Sequence, residues 1–168
     1  MSIQPIAGVS SRSEAVVMTE HPSIAAGMLG QALGIIYDCI PVRICGLTLS
    51  HLLFVLPTAP IAIGLYFLQR LTGEYFVLTN RSVQIWAARL GRRVSTVDLS
   101  EIADAEVTQS PGQKFFKAGD ILLRSQSGQI IQQLRGVPDA PSFCNAIRRT
   151  AEARRMVQSA MATIEARG

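Results

Sequence analysis

Guanidinium and ammonium groups are the side chains of this sequence with the clearest chemical use. Arg89, Arg92 and Arg93 stand around Gly91, and Lys114 and Lys117 stand close together further on. If the two loops converge, they form a basic rim suited to lipid headgroups, each cation near an anionic surface contributing about 1 kcal/mol. The plainer reading is solvated loop charge that helps to set topology. Two further pairs, Arg148 with Arg149 and Arg154 with Arg155, lie on one predicted helix and are expected to contact a protein partner or a second copy. Nucleic acid is not expected, because no aromatic residues interleave with these arginines and no reading motif is present.

Catalytic constellations are missing. The sequence has no HExxH, no GxSxG and no phosphate-cradling GxxxxGK[ST]. Asp104 and Glu106 share a strand face through simple two-residue alternation, which places them on a wet surface rather than across a cleft. Cys39, Cys45 and Cys144 have neither CxxC spacing nor metal-ligand spacing with His21 or His51, and an odd number argues against a complete disulfide framework. His51 and Asp38 fall near a predicted membrane boundary, where water removes the need for a proton relay. Trp86 is expected to pack in a core. No enzyme, cofactor, metal or small-molecule substrate is expected.

The elements that would position these groups differ sharply along the chain. From Leu47 to Leu68, 22 residues carry no Asp, Glu, Lys or Arg; as a helix they extend about 33 Å, close to the ~30 Å hydrocarbon core of a bilayer. Ser23 to Ile40 is a weaker apolar stretch, with Asp38 near its end. The two predict a transmembrane helical hairpin over residues 23–70, the alternative being a single span preceded by an interfacial or buried amphipathic helix. Gly27, Gly30 and Gly34 would let the first helix approach the second. Pro57 and Pro60 predict a kink. Residues 1–22 read as an N-terminal arm.

Through Gln69 the formal charge is −1; from Arg70 onward 14 basic and 9 acidic residues give +5. A basic segment directly after a span is retained in the cytoplasm. The expected arrangement is therefore multi-pass in a membrane, with residues 71–168 on the cytoplasmic side. After Gly73 the pattern changes to short segments punctuated by turns: Tyr75–Thr79, Val83–Ala88, Val94–Leu99, Ala103–Thr108, Ala118–Gln126 and Gln129–Leu134 read as strands. Asp139 and Pro141 open a closing amphipathic helix with Phe143, Ile147 and Ala151, then Val157, Met161 and Ile164, at helical spacing.

Several motifs in order carry a family resemblance. His21-Pro22-Ser23 precedes the apolar hairpin; Tyr75 leads to Leu78-Thr79-Asn80-Arg81 and a strand from Val83; Val97-Asp98-Leu99 leads to Ile102; Ala118-Gly119-Asp120-Ile121 and Gly136-Val137-Pro138-Asp139 follow. Together they resemble the bacterial membrane-flanked pleckstrin-homology-like domain family over roughly residues 19–151. Ser82 departs from it, standing where many relatives carry a second basic residue. The resemblance implies an α+β domain of two bent antiparallel sheets forming a small barrel, capped by a C-terminal helix and held at the cytoplasmic face of a bacterial inner membrane, and it implies no reaction. The expected role is a non-enzymatic membrane-anchored scaffold; the alternatives are an anionic-lipid sensor and an assembly factor or accessory subunit of a larger membrane complex.

Overall fold

A computed structural model describes residues 14–40, 43–44, 47–48 and 51–165. In chain order the elements are β1 (Val16–Glu20), a 3-10 turn (Ile24–Ala26), α1 (Met28–Asp38), the two-residue strands β2 (Arg43–Ile44) and β3 (Leu47–Thr48), and a π-helical turn (His51–Val55). That turn runs into α2 (Leu56–Thr72). β4 (Glu74–Thr79), β5 (Ser82–Ala87), β6 (Arg92–Asp98), β7 (Asp104–Thr108), α3 (Pro111–Lys114), β8 (Ala118–Arg124), β9 (Ile130–Pro138) and α4 (Ala140–Glu165) complete the fold.

Two antiparallel sheets face each other. One has the order β1-β4-β5-β6, the other β7-β8-β9. Alternation decides the core: Phe76 and Leu78 of β4, Val83 and Ile85 of β5, and Ile121 and Leu123 of β8 all point inward. Helix α4 closes the open end with Phe143, Cys144, Ile147 and Ala151, spaced three to four apart on one stripe. The expected closed barrel is thus corrected to two separate sheets under a helix. Residues of the expected N-terminal arm also take a structural place, as β1 pairs with β4 through Thr19 opposite Val77 and Glu20 opposite Phe76.

The expected transmembrane hairpin is not supported in full. Helix α1 has 11 residues, about 16 Å of rise and half a bilayer core. It starts late because Ser23 caps a 3-10 turn, its hydroxyl accepting from the Ala25 N–H at 3.3 Å. Only one helical stretch among the described residues, Leu53–Thr72, is long and apolar enough to cross a membrane, and none of it is buried in the protein. Pro57 falls in the first turn of α2, where a missing N–H removes no helical bond, while Pro60 lies inside it.

The glycines of α1 serve a different neighbour from the one expected. A Cβ on Gly34 would lie 2.0 Å from the carbonyl oxygen of Gly112, and one on Gly112 would lie 2.2 Å from that of Gln31. Close approach is therefore to α3 of the sheet domain. Tyr37, buried one turn on, packs edge-on against Phe115 at 4.9 Å between ring centroids, and its hydroxyl meets that of Thr58 on α2. At the other end of the pair, Gln69 of α2 donates to the Ser23 carbonyl at 3.0 Å. Segment 21–73 thus leaves the sheet at β1 and returns beside it at β4, its two helices antiparallel.

Candidate functional site

The β5–β6 turn carries Arg89, Arg92 and Arg93 into solvent, with Gly91 at φ +56° providing the reversal. The turn is tied to the end of α2, since the Ala88 N–H donates to the Gly73 carbonyl at 2.9 Å. Lys114 and Lys117 are also exposed. Their loop is ordered by a capping box, in which the Gln113 side chain accepts from the Ser110 N–H at 2.9 Å. The Gln113 amide then donates to Asp120 on β8 at 2.6 Å. Phe116, between the two lysines and β8, shares a cavity with Tyr66 and Arg70 of α2. The arginine turn therefore lies against the end of the apolar helix, while the lysine loop packs on α1 and faces the same end across that cavity.

The helix arginines are largely engaged within the domain. Arg148 pairs with Asp104 at 3.1 Å and also donates to the Ala105 carbonyl. Arg154 pairs with Asp98 at 3.1 Å, and Arg155 donates to the Ile102 carbonyl. Three of the four thus hold α4 to β6, β7 and the segment between them, while Arg149 is exposed. Burial pushes the Asp98 carboxyl up, but the Ser100 N–H and hydroxyl, with Arg154 and Arg81, outweigh it and hold the group below its ordinary value. Glu106 pairs with Arg124 at 3.0 Å, so both carboxylates of the Asp104/Glu106 face are ion-paired surface groups.

Sequence reasoning missed a polar cluster on the outer face of the first sheet. Glu14 Oε1 accepts from the Ser82 hydroxyl at 2.7 Å and the Gln84 amide at 2.7 Å, and lies 2.8 Å from the Thr79 hydroxyl. These donors, Ser82 foremost, hold the Glu14 carboxyl below its ordinary value against the opposing effect of burial. Gln84 in turn accepts from the Trp86 indole at 2.9 Å. Trp86 stacks on Tyr75 at 6.3 Å and Tyr75 on His21 at 5.4 Å. Trp86 is therefore half-buried on the outer face, not in the core. The readable signal was Ser82-Gln84-Trp86 alternating with Val83 and Ile85; what hid it was its partner Glu14, 68 residues away. A second basic side chain in place of Ser82 would lose the hydroxyl that Glu14 holds.

Cys144 is buried, its thiol donating to the Ala105 carbonyl at 3.2 Å, and burial raises its pKa. Cys39 is exposed, as is Asp38; Cys45 and the His51 side chain lie outside the described residues. Among the described residues no group of three or more His, Cys, Asp or Glu could hold a metal ion.

With two sheets, a capping helix and this order of motifs in place, a family comparison decides the assignment: the bacterial PH domain family matches residues 24–151. The chain belongs to the bacterial PH domain family. The PH match begins in the 3-10 turn and ends at Ala151, the last buried residue of α4. It therefore includes α1 and α2, whereas β1 and the outer half of α4 lie beyond it. PH domains generally act by binding rather than by catalysis. No curated protein matches the chain.

Proposed function

We propose that this protein is a non-catalytic, membrane-anchored PH module that presents its two-sheet domain to a protein partner on the cytoplasmic side. One observation carries the anchoring: the 20-residue stretch Leu53–Thr72 has no fully buried residue and ends two residues before β4. Exposed Leu56, Ile61, Ile63, Phe67 and Leu71 on this one helix suit a lipid solvent better than water. Because β1 and β4 pair, both ends of segment 21–73 occupy one side of any bilayer. This favours a segment that enters and leaves the bilayer on the same side over a single complete crossing.

The partner-binding part rests on α4 beyond Arg155, where Met156, Val157 and Met161 are exposed on a helix that has left the core. The full-length protein should sediment with membranes and enter solution only with detergent. Truncation after Arg155 should remove co-purifying protein while leaving the domain folded. Recovery in the aqueous supernatant without detergent would overturn the anchoring, and unchanged co-purification after truncation would overturn the partner site.

A second reading, contact with anionic lipid through Arg89, Arg92, Arg93, Lys114 and Lys117, is favoured by the attachment of the arginine turn to the end of α2 and by the cavity that Phe116 of the lysine loop shares with Tyr66 and Arg70. Joint substitution of the three arginines by Ala should lower partitioning onto anionic vesicles relative to neutral ones; equal partitioning by the wild-type protein would exclude it.

A further inference from the structure

Where α2 meets the sheets, three charged side chains surround one open cavity of about 460 Å³: Arg70 at the end of α2, Glu20 at the end of β1 and Glu74 at the start of β4. Among the described residues none of the three belongs to an ion pair. His21 adds no charge, because burial, reinforced by Arg70, lowers its pKa below the ordinary imidazole value. Burial and then the Asp139 charge push the Glu20 carboxyl up, as for a carboxylate short of a cationic neighbour. Within the cavity lining the balance is one cation against two carboxylates, with the Asp139 charge acting on Glu20 from outside it and Arg135 sharing a neighbouring cavity with Glu74.

Beside the cavity lies an apolar groove of about 310 Å³ between the start of α1 and the end of α2, walled by Met28, Leu29, Leu65 and Leu68. Ile24 and Gln69 line both spaces. A charged chamber side by side with a greasy groove has the shape of an amphiphile, and each part is of the size in which small molecules are held. A plain anion would meet two carboxylates; an uncharged ligand would leave all three charges uncompensated.

We propose that this composite site seats one phospholipid whose headgroup is zwitterionic and bears a primary ammonium. Its phosphate faces Arg70, its ammonium lies between Glu20 and Glu74, and an acyl chain follows the groove. The inference rests on the proposed membrane anchoring, which would bring α2's last turns to headgroup depth. A primary ammonium donates hydrogen bonds to both carboxylates, and a trimethylammonium has none to give.

The test uses the full-length protein, stripped of lipid and then exposed to an equimolar mixture of phosphatidylethanolamine, phosphatidylcholine and phosphatidylglycerol with identical acyl chains. Retained lipid is read by mass spectrometry. Phosphatidylethanolamine should be retained in roughly tenfold excess over each of the others, the discrimination of a charge-assisted hydrogen bond. The double variant Glu20→Gln with Glu74→Gln should lose the preference over phosphatidylcholine, and Arg70→Gln should retain less phospholipid altogether. Equal retention of the three by the wild-type protein, or full preference in the double variant, would overturn the site. If the protein binds no vesicle of any composition, the anchoring fails instead. Saturation-transfer NMR with water-soluble glycerophosphoethanolamine against glycerophosphocholine then still reads the chamber, where equal signals reject it.

Discussion

Glu14 shows how one carboxylate fastens an edge strand. It stands two residues before β1, and one of its oxygens serves buried Ser82 and Gln84 together with Thr79. Glu14→Ala would leave those buried groups without their acceptor, costing roughly 1–2 kcal/mol by the penalty for unmade hydrogen bonds. A lowered folded-state pKa means that stabilisation is present above the ordinary value of 4.5 and is lost as pH falls through the folded value. Urea unfolding of wild-type and Glu14→Ala proteins should therefore differ at neutral pH and converge as pH falls below the ordinary value and through the folded one. A constant gap across that range would show that the charge of Glu14 is not involved.

Glycine placement separates elements that must touch from elements that need not. Gly34 and Gly112 let α1 and α3 meet backbone to backbone. Gly34→Ala should cost about 3 kcal/mol or more through overpacking and loosen the α1–α3 contact. Gly64, on the uncovered side of α2, has nothing within 4 Å of an added Cβ; Gly64→Ala should be neutral or stabilising by about 0.5–1 kcal/mol through reduced chain entropy. Thermal unfolding in detergent compares the two directly. Equal effects would mean that α1 does not dock on the domain. In the same way Arg148, Arg154 and Arg155 fasten α4 along its middle, so that its outer half projects without support.

In the molecule as a whole, the β1–β4 pairing governs how a membrane could be met. Segment 21–73 is an excursion from one sheet edge, and its native thiols report how far it goes. Cys39 stands at the far end of α1, and Cys144 is sealed in the core. If the excursion reaches the opposite surface, a membrane-impermeant maleimide added outside intact cells should label the protein at Cys39 or Cys45 and not at Cys144. Labelling that requires opened membranes would restrict the excursion to the inner leaflet. The domain end nearest α2 carries both basic loops, and the outer half of α4 lies toward the other end, near the β6–β7 connection. That layout suits the proposed lipid contact at one end and the proposed partner contact at the other.

The six strands after Gly73, the turns between them and the closing helix are legible in the sequence because each depends on local periodicity and turn chemistry. The uncharged run ending at Leu68 is legible for the same reason: burial in lipid and burial in a core both select apolar residues. Apolarity alone could not tell Ser23–Ile40 as a span from a helix packed on protein, and docking through Gly34, Gly112 and Tyr37 resolves it toward the second. The place of Val16–Glu20 in the sheet, the Glu14 cluster, the internal use of the arginines and the charged chamber around Arg70 depend on partners tens of residues apart. Such contacts leave no periodic trace, because a side chain's type states which bonds it can make and folding alone chooses the atoms that come within reach.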